Sequence, residues 1–184
     1  MPPPKIRKLA IMGFRSVGKS SLTIQFVEHQ FVDAYDPTIE NTFEKIIKVG
    51  NQEFNIKIVD TAGQDEYSIF PQSLSVGING FVLVYSVTSQ KSFEIVQIIH
   101  EKLLDTIGKV TVPIVLVGNK IDLVNDRIIT TQMGRDLANS WNAAFIESSA
   151  KKNEMVETIF KAVLELIERN DGTSPKTDKD CTIL

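Results

Sequence analysis

Apolar and polar positions along this chain alternate between strand-like and helix-like periods. Gly80 to Ser86 (Gly-Phe-Val-Leu-Val-Tyr-Ser) and Pro113 to Gly118 (Pro-Ile-Val-Leu-Val-Gly) are continuous apolar runs, which suit parallel strands covered on both faces. Phe54, Ile56 and Ile58 alternate with Asn55 and Lys57, the period-2 pattern of a half-buried strand. The pattern predicts strands at Arg7–Met12, Asn41–Val49, Glu53–Asp60, Gly80–Ser86, Pro113–Gly118 and Phe145–Ser148. The second and third form a hairpin around Gly50-Asn51. Helical periodicity covers Ser21–Glu28, Phe93–Leu104, Thr131–Trp141 and Asn153–Glu168. In the last of these Val156, Ile159, Phe160, Val163 and Ile167 make one apolar stripe, with Asn153 as the expected N-cap. The order predicts an α/β fold: a doubly wound, mostly parallel six-stranded sheet with one antiparallel strand.

Ligands of such sheets sit beyond the carboxyl ends of the strands, and the suggestive residues fall there. After the first strand, Gly13-Phe-Arg-Ser-Val-Gly-Lys-Ser ends at Ser20. Gly13, Gly18, Lys19 and Ser20 fit the G-x-x-x-x-G-K-[ST] phosphate-binding loop. Its glycines let backbone N–H groups turn inward around phosphate oxygens, and the helix N-terminus adds partial positive charge. The Lys19 ammonium suits β- and γ-phosphates, and the Ser20 hydroxyl suits Mg²⁺. The competing reading is a glycine-rich turn opening an ordinary helix; the flanking strand and helix argue against it.

After the third strand comes Asp60-Thr61-Ala62-Gly63-Gln64. Asp60 can hold a Mg²⁺-bound water, Gly63 can bring its N–H to a γ-phosphate, and Gln64 can orient an attacking water. After the fifth strand comes Asn119-Lys120-Ile121-Asp122. The Asp122 carboxylate suits the N1–H and exocyclic amine of guanine and rejects adenine, with discrimination up to about 10⁴–10⁵. Asn119 braces the loop and the Lys120 stem covers the base. After the sixth strand, Ser149-Ala150-Lys151 can offer a backbone N–H to guanine O6. Between the first helix and the hairpin, Val32 to Glu40 is polar, with Pro37 keeping Asp36 extended. Its Thr38 hydroxyl suits a second Mg²⁺ contact, so the segment reads as a switch ordered by γ-phosphate.

Composition narrows the class. The chain has 184 residues, 42% hydrophobic, with formal net charge −3. One domain with a large core is expected, and no nucleic-acid partner. The opening Met-Pro-Pro-Pro-Lys-Ile-Arg-Lys lacks a signal-peptide core. The single cysteine, Cys181, allows no internal disulfide, so a reducing compartment is expected. His29 and His100 have no partner at ligand spacing; both are expected at the surface, with no zinc. Trp141 reads as a packing residue at a helix end. The organisation expected is a disordered leader over 1–4, a domain over 5–169 and a flexible tail over 170–184. That tail closes on Cys181-Thr182-Ile183-Leu184, a C-a-a-X prenylation pattern.

Gly13–Ser20, Thr38, Asp60–Gly63, Asn119–Asp122 and Ser149–Lys151 match the Ras-type small GTPases in type, order and spacing. The resemblance covers roughly 5–170. It implies GTP and GDP as ligands, Mg²⁺, and weak GTP hydrolysis. It implies a nucleotide site of Arg15, Ser16, Val17, Gly18, Lys19, Ser20, Ser21, Val32, Tyr35, Thr38, Gly63, Asn119, Lys120, Asp122, Ser149, Ala150 and Lys151. It implies Ser20, Thr38 and Asp60 at the metal, Gln64, Gly63 and Tyr35 at the reacting phosphate, and Cys181 as the lipid site. Tyr35-Asp-Pro-Thr-Ile-Glu-Asn-Thr-Phe, Asp60-Thr-Ala-Gly-Gln-Asp-Glu-Tyr-Ser and Trp141-Asn-Ala-Ala-Phe resemble one branch of that family more narrowly. That branch implies the target-of-rapamycin kinase complex as effector, a GTPase-activating protein of the tuberous sclerosis complex type, a prenyltransferase, and a monomer. It places the protein in the cytosol and, through a prenyl anchor, on the cytoplasmic face of lysosome, Golgi and endoplasmic reticulum membranes.

The chain departs from Ras itself at Arg15 and Ser16, where Ras has glycine. Arg15 reads most simply as solvent-facing. It could also crowd the space of an incoming arginine finger, worth about 10³–10⁵ in rate; the resemblance to that branch implies an activator that supplies an Asn instead. Slow intrinsic hydrolysis with little help from Gln64 is therefore expected. Tyr35 is expected to shield the γ-phosphate. A terminal Leu points to geranylgeranyl, whereas the branch points to farnesyl. Lys176 and Lys179 are offset by Asp178 and Asp180, so one lipid gives only transient membrane residence. Two other classes stand beside the switch: a P-loop ATP enzyme such as a small kinase, opposed by Asn119–Asp122, and a nucleotide-locked adaptor.

Overall fold

The computed structural model describes residues 2–32, 40–109 and 112–172. Its sheet takes strands in the order β2-β3-β1-β4-β5-β6, with β1 at Lys5–Gly13, β2 at Asn41–Val49, β3 at Gln52–Asp60, β4 at Gly80–Ser86, β5 at Ile114–Asn119 and β6 at Ala144–Glu147. Only β2 runs antiparallel to its neighbour, paired with β3 from Asn41↔Asp60 to Val49↔Gln52. The expected doubly wound sheet is what the chain forms.

Helices α1 (Lys19–Glu28), α2 (Gln90–Ile107), α3 (Thr131–Ser140) and α4 (Val156–Asn170) cover the two faces. Alternation along β1 divides the core. Leu9 and Ile11 pack with Leu22 and Phe26 of α1 and Ile159, Phe160 and Val163 of α4. Ala10 and Met12 pack with Phe93, Val96 and Ile99 of α2 and Ala138 of α3. Every residue of β4 is buried, as its unbroken apolar run demands, and each large side chain there contributes about 1.5–3 kcal/mol by leaving water. Phe26 and Phe160 stack with ring centroids 4.1 Å apart.

Several boundaries differ from the periodic reading for identifiable reasons. α2 starts at Gln90 because the Ser89 side chain caps it, accepting from the Ser92 N–H. β1 reaches back to Lys5, where Lys5 and Arg7 bind the buried Glu168 carboxylate at 2.8 Å and 2.6 Å. Arg7 also meets Asp171, just past the end of α4. Asn153 does not cap α4. A two-way backbone bridge joins Ser149 and Glu154, and left-handed Met155 (φ 61°) then turns the chain into the helix. His100 is not a surface residue: it is 8% exposed and stacks on Trp141 at 3.9 Å. Burial holds its pKa below the usual histidine value. Trp141 does pack at a helix end, immediately after α3, and His29 is exposed.

Candidate functional site

The carboxyl ends of β1, β3 and β5 and the loop after β6 converge at one end of the sheet. The loop after β1 needs its glycines for space. A Cβ on Gly13 would sit 2.3 Å from the Val84 carbonyl oxygen. Gly18 is left-handed (φ 100°), and a Cβ there would meet Asn119 Nδ2 at 2.3 Å. Ser16, without that freedom, still takes φ 63°, a strained state of the kind that collects at functional loops. Arg15 faces solvent, its guanidinium 5.4 Å from the centre of the Phe14 ring. Val17 is buried and Ser21 lies inside α1.

Lys19, Ser20 and Asp60 form the charged centre. Lys19 is buried, and its ammonium donates to the Phe14 carbonyl at 2.9 Å. Burial lowers its pKa to about 8, with Asp60 opposing the shift. Burial raises the Asp60 pKa, offset by the Ser20 hydrogen bond and by Lys19. The Ser20 hydroxyl donates to Asp60 Oδ2 at 2.5 Å. Asp60 is 1% exposed, yet its Oδ1 has no hydrogen-bond partner among the described residues. Thr61 ties the end of β3 to β1 by donating to the Ile11 carbonyl at 2.8 Å. Gly63 approaches the loop after β1 so closely that a Cβ would lie 2.7 Å from Arg15 Cα. Gln64 N–H donates to the Gly13 carbonyl at 3.0 Å, and Gln64 is 6% exposed.

Asn119 ties two loops together. Its Nδ2 donates to the Val17 carbonyl at 2.9 Å, and its Oδ1 accepts from Ser148 Oγ at 3.1 Å and from Ala150 N–H at 3.2 Å. Lys120 takes φ 70° and its Nζ donates to the Ser16 carbonyl at 2.6 Å. Burial lowers the Lys120 pKa, against Asp122. Asp122 Oδ1 accepts from Ser149 Oγ at 2.7 Å, and Ser149 Oγ in turn accepts from Lys152 N–H at 3.1 Å. Lys151 is exposed beside them. Tyr35, Thr38 and Cys181 lie outside the described residues, and Val32 is exposed just before the first gap.

Two members of this frame escaped the motif reading. Gln25 reaches across from α1 to donate to the Ala150 carbonyl at 2.8 Å. The available signal was a polar residue on the buried face of α1, between Leu22 and Phe26. Lys102 of α2 donates to the carbonyls of Glu66 and Ser68; nothing in the sequence marks it, since backbone carbonyls have no residue signature.

The family model described as Ras family matches residues 8–169, so this chain belongs to the Ras family. GTP-binding protein Rheb of Mus musculus is 60% identical over 184 residues, the whole of both chains. GTP-binding protein Rheb homolog of Drosophila melanogaster is 61% identical over 181 residues, covering 98% of this chain and 99% of that one. GTP-binding protein rhb1 of Schizosaccharomyces pombe is 53% identical over the whole of both chains. The protein is a small GTP-binding switch and a GTPase, similar throughout to Rheb proteins. Among the described residues no helix is long and apolar enough to cross a membrane.

Proposed function

We propose that the Arg15–Ser21 loop, with Gly13 giving it room, cradles the phosphates of GTP while Asp122 reads guanine. Asn119 carries this reading. Its amide bonds to Val17 on one side and to Ser148 and Ala150 on the other. Base-reading and phosphate-binding loops are thus one bonded frame, with Lys120 and Lys151 along the base. Lys19 supplies charge to the terminal phosphates and Gly63 a backbone N–H. Val32, Tyr35 and Thr38 complete the site, with Tyr35 shielding the γ-phosphate.

Mg²⁺ fits this donor set. Ser20 and Asp60 are in contact, and the buried Asp60 Oδ1, which has no hydrogen-bond partner among the described residues, is an acceptor suited to a cation's bound water. Ser20, Thr38 and Asp60 would hold the ion, which neutralises charge on the β- and γ-phosphates when bound. Hydrolysis adds water to the γ-phosphorus and breaks its bond to the bridging oxygen, releasing GDP and phosphate. Gln64 orients that water. Its burial accounts for a slow intrinsic rate, and exposed Arg15 faces an incoming activator.

We further propose that the GTP form activates the target-of-rapamycin kinase complex. A tuberous-sclerosis-type activator switches it off. Prenylation of Cys181 gives transient residence on lysosome, Golgi and endoplasmic reticulum membranes. The domain spans 5–169, between a leader and a tail. The test loads purified protein with GTP and Mg²⁺ and follows the bound nucleotide. Slow conversion to GDP supports the switch; intact GTP supports a locked adaptor; failure to load removes the guanine assignment. Arg15→Gly is expected to gain sensitivity to an ordinary Ras activator, and Tyr35→Ala to hydrolyse faster. Cys181→Ser is expected to leave the membrane fraction; retention there contradicts the anchor.

A further inference from the structure

The turn after Gln64 is held in an unusual way. Tyr67 and Ile69 are 87% and 90% exposed, so apolar packing does not fix it until Phe70 and Leu74 return to the core. Its internal bonds are polar: Asp65 Oδ1 accepts from Tyr67 N–H at 2.9 Å and from Ser68 Oγ at 3.0 Å. Its attachment to the body of the protein comes from α2. The Lys102 ammonium donates to the Glu66 carbonyl at 2.9 Å and to the Ser68 carbonyl at 2.7 Å. Lys91 adds a bond to Glu66 Oε1 at 3.0 Å. One ammonium with three donors can hold two carbonyls at once, and charge makes these bonds stronger than neutral ones.

Gln64 is therefore fixed at both ends. Its own N–H binds Gly13, and the turn that follows it is fastened to α2. Between those anchors along the chain, Gln64 itself is buried. Orienting an attacking water requires the amide to reach the γ-phosphate. A buried side chain with both flanks tied reaches it only when one tie opens, and the solvent-bordering tie is the one through Lys102.

We infer that Lys102 is a positioning residue that restrains GTP hydrolysis, by clamping the Glu66 and Ser68 carbonyls so that Gln64 stays in its buried seat. The inference rests on the reading of Gln64 as the water-orienting residue. Lys102 touches no nucleotide; it acts only through the turn. It makes the resting rate of this switch adjustable from α2, away from the nucleotide.

Single-turnover hydrolysis tests it, using full-length protein loaded with GTP and Mg²⁺. Lys102→Met removes the ammonium and keeps the apolar stem, Lys102→Arg keeps the donors, and Gln64→Leu is made alone and with Lys102→Met. The expected result is a rise of roughly fivefold in Lys102→Met, within the range of released coupling contacts. Lys102→Arg retains the wild-type rate, and the rise disappears in the double variant. An unchanged or slower Lys102→Met overturns the inference, as does a rise that survives Gln64→Leu. If no protein in the set converts GTP, the reading of Gln64 is what fails. Hydrogen exchange of the 65–69 amides in the GDP form then decides the clamp. It must quicken in Lys102→Met and not in Lys102→Arg; unchanged exchange in Lys102→Met overturns it.

Discussion

The base-side frame and the turn after Gln64 lie at the same end of one sheet and are built on opposite plans. Around Asn119 these contacts are buried: Val17, Ser148, Ala150 and Gln25 are joined by side chains that are themselves in the core. From Asp65 to Val76 the large side chains Tyr67, Ile69 and Val76 are turned out to solvent. Lys102 and one aspartate hold that backbone, and Lys91 binds the Glu66 carboxylate. Regions that must rearrange are drawn from the least buried parts of a fold. On the proposed reading, the first plan keeps guanine and the phosphate loop in fixed relation whichever nucleotide is bound. The second leaves a segment whose position the terminal phosphate can bias.

The largest expected effect attacks the rigid side. Asn119→Ala removes three hydrogen bonds to two loops at once, each worth about 0.5–1.5 kcal/mol, and strands their buried partners. GDP dissociation is expected to quicken by about 100-fold or more, read by exchange of a fluorescent nucleotide; a change under about threefold breaks the claim of a bonded frame. Gly63→Ala tests where the two regions touch. Its Cβ would meet the Arg15 backbone at 2.7 Å, so one segment has to shift, destabilising the protein by about 1–3 kcal/mol. A lower midpoint in thermal unfolding checks this, and an unchanged one contradicts the close approach.

Lys19 gives a smaller, pH-dependent effect. Its folded pKa is about 8, against 10.5 for an ordinary lysine side chain. The nucleotide-free fold therefore carries fewer protons on Lys19 than the unfolded chain between pH 8 and 10.5, and this group makes stability rise with pH across that window. Phosphates favour the charged amine, so nucleotide binding takes up a proton above about pH 8. Affinity then falls by up to about tenfold per pH unit. Calorimetry in two buffers of different ionisation enthalpy measures the uptake; equal heats at pH 9 contradict it. Smallest is Ile69→Ser: an exposed side chain on the loosely packed turn is expected to shift stability by less than about 0.5 kcal/mol. A larger loss would mean the turn is packed after all.

The motifs made most of the frame legible. Gly13–Ser20, Asp60–Gln64, Asn119–Asp122 and Ser149–Lys151 each sit at or just after the end of a strand that the apolar pattern marks. The fold rule then places all those strand ends together. What stayed hidden depends on partners far along the chain that carry no pattern. His100 is one polar residue on an apolar helix face, and only the fold brings Trp141 over its ring. Asn153 has the right chemistry for an N-cap, yet the Ser149–Glu154 bridge outside the helical pattern decides where α4 begins. Lys102 resembles any helical lysine, because its acceptors are backbone carbonyls.

Hydrogen exchange compared between the GDP form and a form loaded with a non-hydrolysable GTP analogue tests the division most directly. Amides of residues 64–77 are expected to change protection between the two forms, while those of 116–122 and 146–152 stay equally protected in both. Equal protection of 64–77 in the two forms, or a change spread evenly across both regions, would contradict it.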